Sequence, residues 1–362
     1  MTAMPAVNAR TDSPLDYLSV DRYLASVVAA RALKTAFETG LVDHLIQRRS
    51  SPFATLAQTT GADPRGLAFL LGLLQSHGIV EQTHGDVRLH PDFLAVLRYR
   101  DLLETKLDFA GVLLDDFADH FTALIRDPQR FVEQGRLFAL FDYRRALVAT
   151  QENYERTRAW MRLTSTLTRY EARACMSLHD FSQHARLLDV GGNSGEFALQ
   201  ACARHPSLRA TVFDLPLVCE IGLEHVLPHA ARARIGFLAG DLRTDPLPQG
   251  HDLMVFKSML HDWPQEDAVR FLERAVEALA PGGTLLVFER GPIDPSQAAP
   301  GFGALPVLLF FRSYRAPDVY ASTLSGLGME SVNTREIMLD TPFFLVSARK
   351  PGGPGAGAPA QG

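Results

Sequence analysis

From residue 185 the chain repeats one unit, a strand-length apolar run followed by a helical stretch. The runs are "ARLLDV", "LRATVFD", "ARIGFLAGD", "HDLMVFK" and "GGTLLVFER". Each is nearly continuous in apolar residues, so each strand needs cover on both faces. Alternation with helices then predicts a parallel sheet of the doubly wound α/β type. "MESVNTREIML" and "TPFFLVSAR" follow with only a turn between them and suit a terminal antiparallel pair. A sheet of this kind places its ligands outside the carboxyl ends of its strands.

Those ends carry a distinctive set of residues. The first run ends at Asp189 and the turn Gly191-Gly192-Asn193-Ser194-Gly195. The second ends at Asp214, the third at Asp241, the fourth at Lys257 before "SMLHDWP", and the fifth at Glu289-Arg290. The glycine turn alone fits many strand-to-helix connections, and it departs from the dinucleotide fingerprint G-x-G-x-x-G. Asp214 stands where a carboxylate accepts both hydroxyls of a ribose and repels a phosphorylated one; capping the next helix is its other reading. Asp241, one strand further, is placed to accept from an adenine amino group. Together they describe a nucleoside site with three acids and little positive charge, which argues against a pyrophosphate.

These residues carry a family resemblance. "LLDVGGNSGEFALQACARHPSLRATVFDLP", "AGDL" and "VFKSMLHDWPQEDAVRFLERAVEALAPGGTLLVFE" resemble the S-adenosylmethionine-dependent small-molecule O-methyltransferases of the plant caffeate and bacterial antibiotic-tailoring type. The most specific piece is the K-x-x-x-H-D-W stretch, Lys257 to Trp263. The resemblance covers nearly the whole chain. It implies a Rossmann-like catalytic domain preceded by a winged-helix-like dimerisation domain. It implies S-adenosyl-L-methionine as cofactor, with Gly191 near the methionine part, Asp214 at the ribose, Asp241 and Leu242 at the adenine, and Lys257 below. It also implies His261 as general base and Glu289 as the acid that orients it; Asp262, Phe310 and Tyr314 are, beside the resemblance, the candidate contacts to the acceptor.

The chemistry agrees with those roles. A phenol has a pKa of about 10 and is mostly protonated at neutral pH. A neutral imidazole, pKa about 6.5, can take that proton as the new bond forms, and a carboxylate on its other nitrogen fixes the tautomer. A sulfonium donor needs no metal.

Three features depart from the family pattern. Asn193 replaces the middle glycine of the turn, a residue that tolerates left-handed backbone. With Arg315 as anchor, Tyr314 stands where the family has a second Glu bracing the base, and Asp318 is a candidate substitute. "ALPVLLFFRSY" fills the usual pocket helix with bulk, so Phe310, Phe311 and Tyr314 either stack on an aromatic acceptor or narrow the pocket. Arg312 and Arg315 read as ligands for an acidic acceptor or as solvated. C- or N-methylation, or a non-methylating use of the cofactor, stays open on this scaffold.

Residues 15–100 read as short helices and a small β element. "PFATLAQTTGADPRGLAFLLGLLQSHGIVEQTHGDVRLH" has winged-helix order, helix, turn, helix, then two strands around "HGD". A groove-reading helix needs several basic and polar side chains, and "PRGLAFLLGLLQSHG" offers one Arg. We therefore expect a homodimer and no nucleic acid, with a ligand-sensing transcription regulator as the alternative from another class. Residues 101–180 read as wholly helical, either bundle core or a cap over an apolar pocket. Residues 181–349 form the catalytic domain, and 1–14 and 350–362 read as flexible ends. The net charge of −5 gives no reason to expect a polyanion partner. No apolar run approaches a membrane span and no signal segment is evident, so neither a membrane nor secretion is expected. Cys175, Cys202 and Cys219 form no close pair, which fits a reducing cytoplasm.

Overall fold

The computed structural model describes residues 17–20, 27–139, 142–293 and 313–352. The expectations for residues 1–14, for Phe310, Phe311 and Arg312, and for most of the C-terminal end lie outside the described residues. The chain divides into two units, residues 1–103 and 104–362.

The first unit runs α1 (Val27–Glu38), α2 (Leu41–Arg48), β1 (Ser51–Pro52), α3 (Phe53–Thr60), α4 (Pro64–Ser76), β2 (Val80–Thr83), β3 (Asp86–Leu89) and α5 (Pro91–Val96). Its antiparallel sheet has the order β1-β3-β2. Helix α4 starts where Asp63 accepts from the backbone N–H of Arg65 and Gly66, with Pro64 in the first turn. It buries Leu67, Leu71 and Leu74, spaced for one helix face, and leaves Phe69 70% exposed. The β2–β3 turn is closed by His84 and Gly85, both at positive φ.

Helix α6 (Arg100–Arg126) spans the division between the units. After it come α7 (Pro128–Gln134), α8 (Arg136–Ala139) and the long α9 (Gln151–Leu178), so residues 101–180 are mostly helical. The sheet of the second unit follows: β4 (Arg186–Val190), α10 (Glu196–Arg204), β5 (Arg209–Asp214), α11 (Pro216–Val226), β6 (Ile235–Ala239), β7 (Leu253–Lys257), α12 (Gln265–Ala278), β8 (Thr284–Arg290), α13 (Pro317–Gly326), β9 (Glu330–Met338) and β10 (Pro342–Arg349). The strand order is β6-β5-β4-β7-β8-β10-β9. The first five strands are parallel, and β10 runs antiparallel to both β8 and β9. This is the doubly wound sheet with a terminal antiparallel pair that the apolar runs predict. Strands β4, β7 and β8 are buried almost end to end, as strands covered on both faces must be.

The topology locates the site. From β4 the chain moves outward through β5 to β6, then returns to place β7 on the other side of β4. That reversal opens a crevice beyond the carboxyl ends of β4 and β7. The glycine turn leaves β4 there, and Lys257 to Trp263 leaves β7. Among the described residues no helix is long and apolar enough to cross a membrane.

Candidate active site

The turn after β4 is built from alternating left-handed residues: Gly191 at φ 66°, Asn193 at 54° and Gly195 at 73°. Side chains at the first two positions have no room. A Cβ on Gly191 would stand 2.7 Å from Met259 Cγ, and one on Gly192 would stand 2.5 Å from Asp189 Cγ. Asn193 accepts the left-handed conformation and adds bonds of its own. Its Oδ1 accepts from Ser194 N at 2.8 Å and from the Thr164 hydroxyl at 3.3 Å, tying the turn to α9. Its backbone N–H donates to Asp214 Oδ2 at 2.8 Å, while Leu215 N donates to Oδ1 at 2.7 Å. Asp214 therefore links two strand ends and does not cap α11, whose N-cap residue is Leu215 with no side-chain cap.

A cavity opens beside this turn and encloses about 1370 Å³, open solvent included. Gly191, Asp214, Asp241, Leu242, Lys257, His261, Asp262 and Tyr314 all line it, so the fold gathers nearly every residue singled out in the sequence. Glu289 stands behind the wall, fully buried. The expectation of little positive charge is corrected here. Lys257, Arg290 and Arg243 also line the cavity, each paired with a carboxylate. Asp241 is engaged by the guanidinium of Arg243, at 2.9 and 3.0 Å from Nε. Lys257 donates to Thr168 Oγ1 at 3.0 Å and pairs with Glu171, which also accepts from Arg290. Burial would raise the Glu171 carboxyl, but its two cations hold it down at about 2.

Asp189 and Asp214 show the opposite balance. Burial pushes Asp214 up to about 6 against its two backbone donors, and pushes Asp189 to about 7, with Asp214 adding and Lys257 opposing. Among the described residues, Asp189 Oδ2 and Ser258 Oγ are buried without a hydrogen-bond partner, and both residues line the cavity. Buried polar atoms are seldom left so. An unpartnered Asp189 oxygen and the buried carboxylate of Asp214, beside a cradle open only because glycine has no side chain, fit a ligand that brings an ammonium and ribose hydroxyls. S-adenosylmethionine carries both.

The turn after β7 is shaped by its neighbour strand. Ser258, at φ 49°, donates to Phe288 O, and the backbone then curls into a short 3₁₀ turn over Leu260–Asp262. Glu289 Oε1 accepts from the N–H of Met259 (2.8 Å) and Leu260 (2.7 Å), and its Oε2 lies 2.7 Å from His261 Nδ1. The acid bonded to the imidazole thus also holds the turn that carries it. Burial opposes charge on His261, but Glu289 and then Asp262 outweigh it and raise the imidazole above its ordinary value.

The second brace on His261 is not where the sequence points. Asp318 is exposed on α13. Tyr314 packs its ring edge against the imidazole, with centroids 5.1 Å apart. The second carboxylate is Asp262, whose Oδ1 lies 3.3 Å from His261 Nε2 and whose Oδ2 accepts from the Tyr143 hydroxyl at 2.6 Å. Arg315 is half-buried and is not among the residues that line the cavity. It donates to Leu260 O at 2.9 Å and to Trp263 O, closing the turn from the other side.

Sequence reading missed Glu171, Tyr143 and Trp160, and it gave no role to Arg290, noted only at its strand end. A signal existed for the first. Trp160, Thr164, Leu167 and Glu171 recur at helical spacing on α9 and all line the cavity, so an acid sits on an otherwise inward stripe.

The O-methyltransferase domain family matches residues 131–299. The chain is 29% identical over 318 residues to 3-hydroxy-5-methyl-1-naphthoate 3-O-methyltransferase of Streptomyces sahachiroi, covering 84% of this chain and 87% of that protein. It is 30% identical over 305 residues to aclacinomycin 10-hydroxylase of Streptomyces purpurascens, covering 82% and 78% respectively. The structure of human N-acetylserotonin methyltransferase in complex with S-adenosylmethionine superposes with a TM-score of 0.70 over 95% of this chain and all of that one; at 22% identity it shows the shared fold. Fold, site and likeness agree, and the chain belongs to the family of S-adenosylmethionine-dependent small-molecule O-methyltransferases.

Proposed function

We propose that the enzyme methylates a hydroxyl of an aromatic or polyketide-like small molecule, with His261 as general base and Glu289 as its orienter. The observation that carries this reading is the Glu289–His261 pair at 2.7 Å on the cavity wall. When bound, S-adenosylmethionine supplies an electrophilic methyl group. Asp189 and Asp214 would hold its amino and ribose groups, the Gly191 turn its methionine portion, and Asp241 with Leu242 its adenine. Phe109, Tyr143, Trp160 and Trp263 give the cavity flat apolar walls suited to an aromatic acceptor. His261 lines the cavity, and its Nε2, the nitrogen not bonded to Glu289, would take the acceptor proton while Glu289 stabilises the resulting imidazolium.

Enzyme incubated with a phenolic acceptor panel and methyl-labelled cofactor should place the label on oxygen. A second reading is favoured by Tyr314 in place of a bracing Glu and by the hydroxylase relative. In it the cofactor is held without methyl transfer. Label on carbon or nitrogen, or no transfer to any acceptor, would favour the alternatives. Asp214→Asn should weaken cofactor binding about tenfold or more by calorimetry and also lower the melting temperature, since one of the two oxygens that accept from Asn193 and Leu215 is replaced by a donor. Unchanged affinity would remove Asp214 from the ribose site.

For the first unit we propose self-association. Helix α4 leaves Phe69 exposed, and Val28 on α1 is exposed as well. Light scattering should give twice the chain mass; the mass of a single chain would contradict this.

A further inference from the structure

One contact beside His261 has no part in the base-and-orienter pair. The Tyr143 hydroxyl donates to Asp262 Oδ2 at 2.6 Å. The tyrosine ring is stacked on Trp263, with centroids 6.1 Å apart at 20°, and meets Trp160 edge-on at 5.5 Å, so the hydroxyl direction is fixed. The other oxygen of Asp262 stands 3.3 Å from His261 Nε2, and Glu289 stands 2.7 Å from Nδ1. Both ring nitrogens therefore face carboxylates. That arrangement suits an imidazolium, with a hydrogen bond to a carboxylate at Nδ1 and a second carboxylate at ion-pair distance from Nε2.

A base must instead present a lone pair, and Nε2 is the nitrogen turned away from Glu289. The strength of the negative charge that Asp262 places beside Nε2 thus bears on how readily His261 can act. Asp262 divides its charge between that nitrogen and the hydroxyl of Tyr143. We propose that Tyr143 is a positioning residue for proton transfer: by holding Oδ2 it weakens the grip of Asp262 on His261 and keeps the histidine near the proton affinity a base requires. This rests on the reading of His261 as the base.

The groups facing the imidazole come from several elements. Glu289 and Arg290 come from the end of β8, the former favouring and the latter opposing its charge. Tyr314 packs edge-on ahead of α13, and Arg315 bonds the turn carbonyls. Asp214, at the end of β5, adds its field at Tyr143. Of these contacts, the one from Tyr143 falls on Asp262 Oδ2, so removing its hydroxyl isolates the effect.

Tyr143→Phe keeps the ring stack and removes only that hydroxyl. The His261 imidazole is titrated by nitrogen NMR in the ligand-free protein. Its midpoint should rise by about half a unit to one unit, and the acid limb of the kcat/KM profile should move up with it. Asp262→Asn should lower the midpoint. Adding Tyr143→Phe to Asp262→Asn should produce no further shift, because the hydroxyl acts through the carboxylate. An unmoved midpoint in Tyr143→Phe, or a shift that persists in the Asp262→Asn background, overturns the proposal. The titration reads proton affinity without turnover. Failure of the base reading, seen as full activity in His261→Gln, is thereby told apart from failure of this proposal, seen in the midpoints.

Discussion

Glu171→Gln should destabilise the protein by about 3–5 kcal/mol, the range for removing one partner from a buried ion pair. Glu171 is 3% exposed and is the carboxylate shared by Lys257 and Arg290, which is itself 6% exposed. Without it, two buried cations face each other across α9, β7 and β8. The effect has a defined pH window. The folded carboxyl sits at about 2, well below its ordinary value of 4.5. A depressed acid adds stability above the unfolded pKa and loses it as pH falls through the folded one. The gap between wild type and variant should therefore be full near neutral pH and close progressively below about pH 4.5. Urea unfolding at several pH values measures it. Lys257→Met in the Glu171→Gln background should recover part of the loss, because one uncompensated charge remains where there were two. A variant as stable as the wild type at pH 7 would mean that the trio is not a buried ionic unit.

The second large effect concerns His261. His261→Gln should lower kcat/KM about 100-fold or more on a phenolic acceptor, the range for losing an acid–base group, while cofactor affinity stays nearly unchanged. The wild-type rate should rise with pH along an acid limb centred above the ordinary histidine value of about 6.5. Glu289 and Asp262 raise the imidazole, and only its neutral form can accept a proton. That limb should vanish in the variant. The same shift acts on stability with the opposite preference: a raised histidine contributes most at low pH and loses its contribution as pH rises through the folded value.

How far the sequence reaches depends on where each partner lies along the chain. The sheet was legible because β4, β7 and β8 are apolar almost without interruption, a pattern that only a doubly covered parallel strand requires. The switch point follows from topology, and it brings the strand-end residues Gly191, Asp214, Lys257 and His261 to one cavity without further information. Glu289 was legible for the same reason, since β8 neighbours β7. What the sequence could not show are the groups delivered by elements far along the chain. Tyr143 reaches Asp262 across 119 residues, and Glu171 reaches Lys257 across 86. Arg315 misled for another reason. Its partners are the carbonyls of Leu260 and Trp263, and backbone acceptors leave no mark in a sequence. Asp262 was noticed, but the direction of its carboxylate is set by the 3₁₀ turn that Glu289 and Arg315 hold. Asn193, a departure from the family turn on paper, is explained by its positive φ and by its bonds to Ser194, Thr164 and Asp214.

Acceptors of graded acidity test the central claim, that His261 takes the acceptor proton. Two phenols on one scaffold suffice, one mostly protonated at the assay pH and one already ionised. His261→Gln should lose about 100-fold or more on the first and keep close to wild-type rate on the second, which no longer needs a base. An equal loss on both would show that His261 serves binding or structure, and would contradict the account.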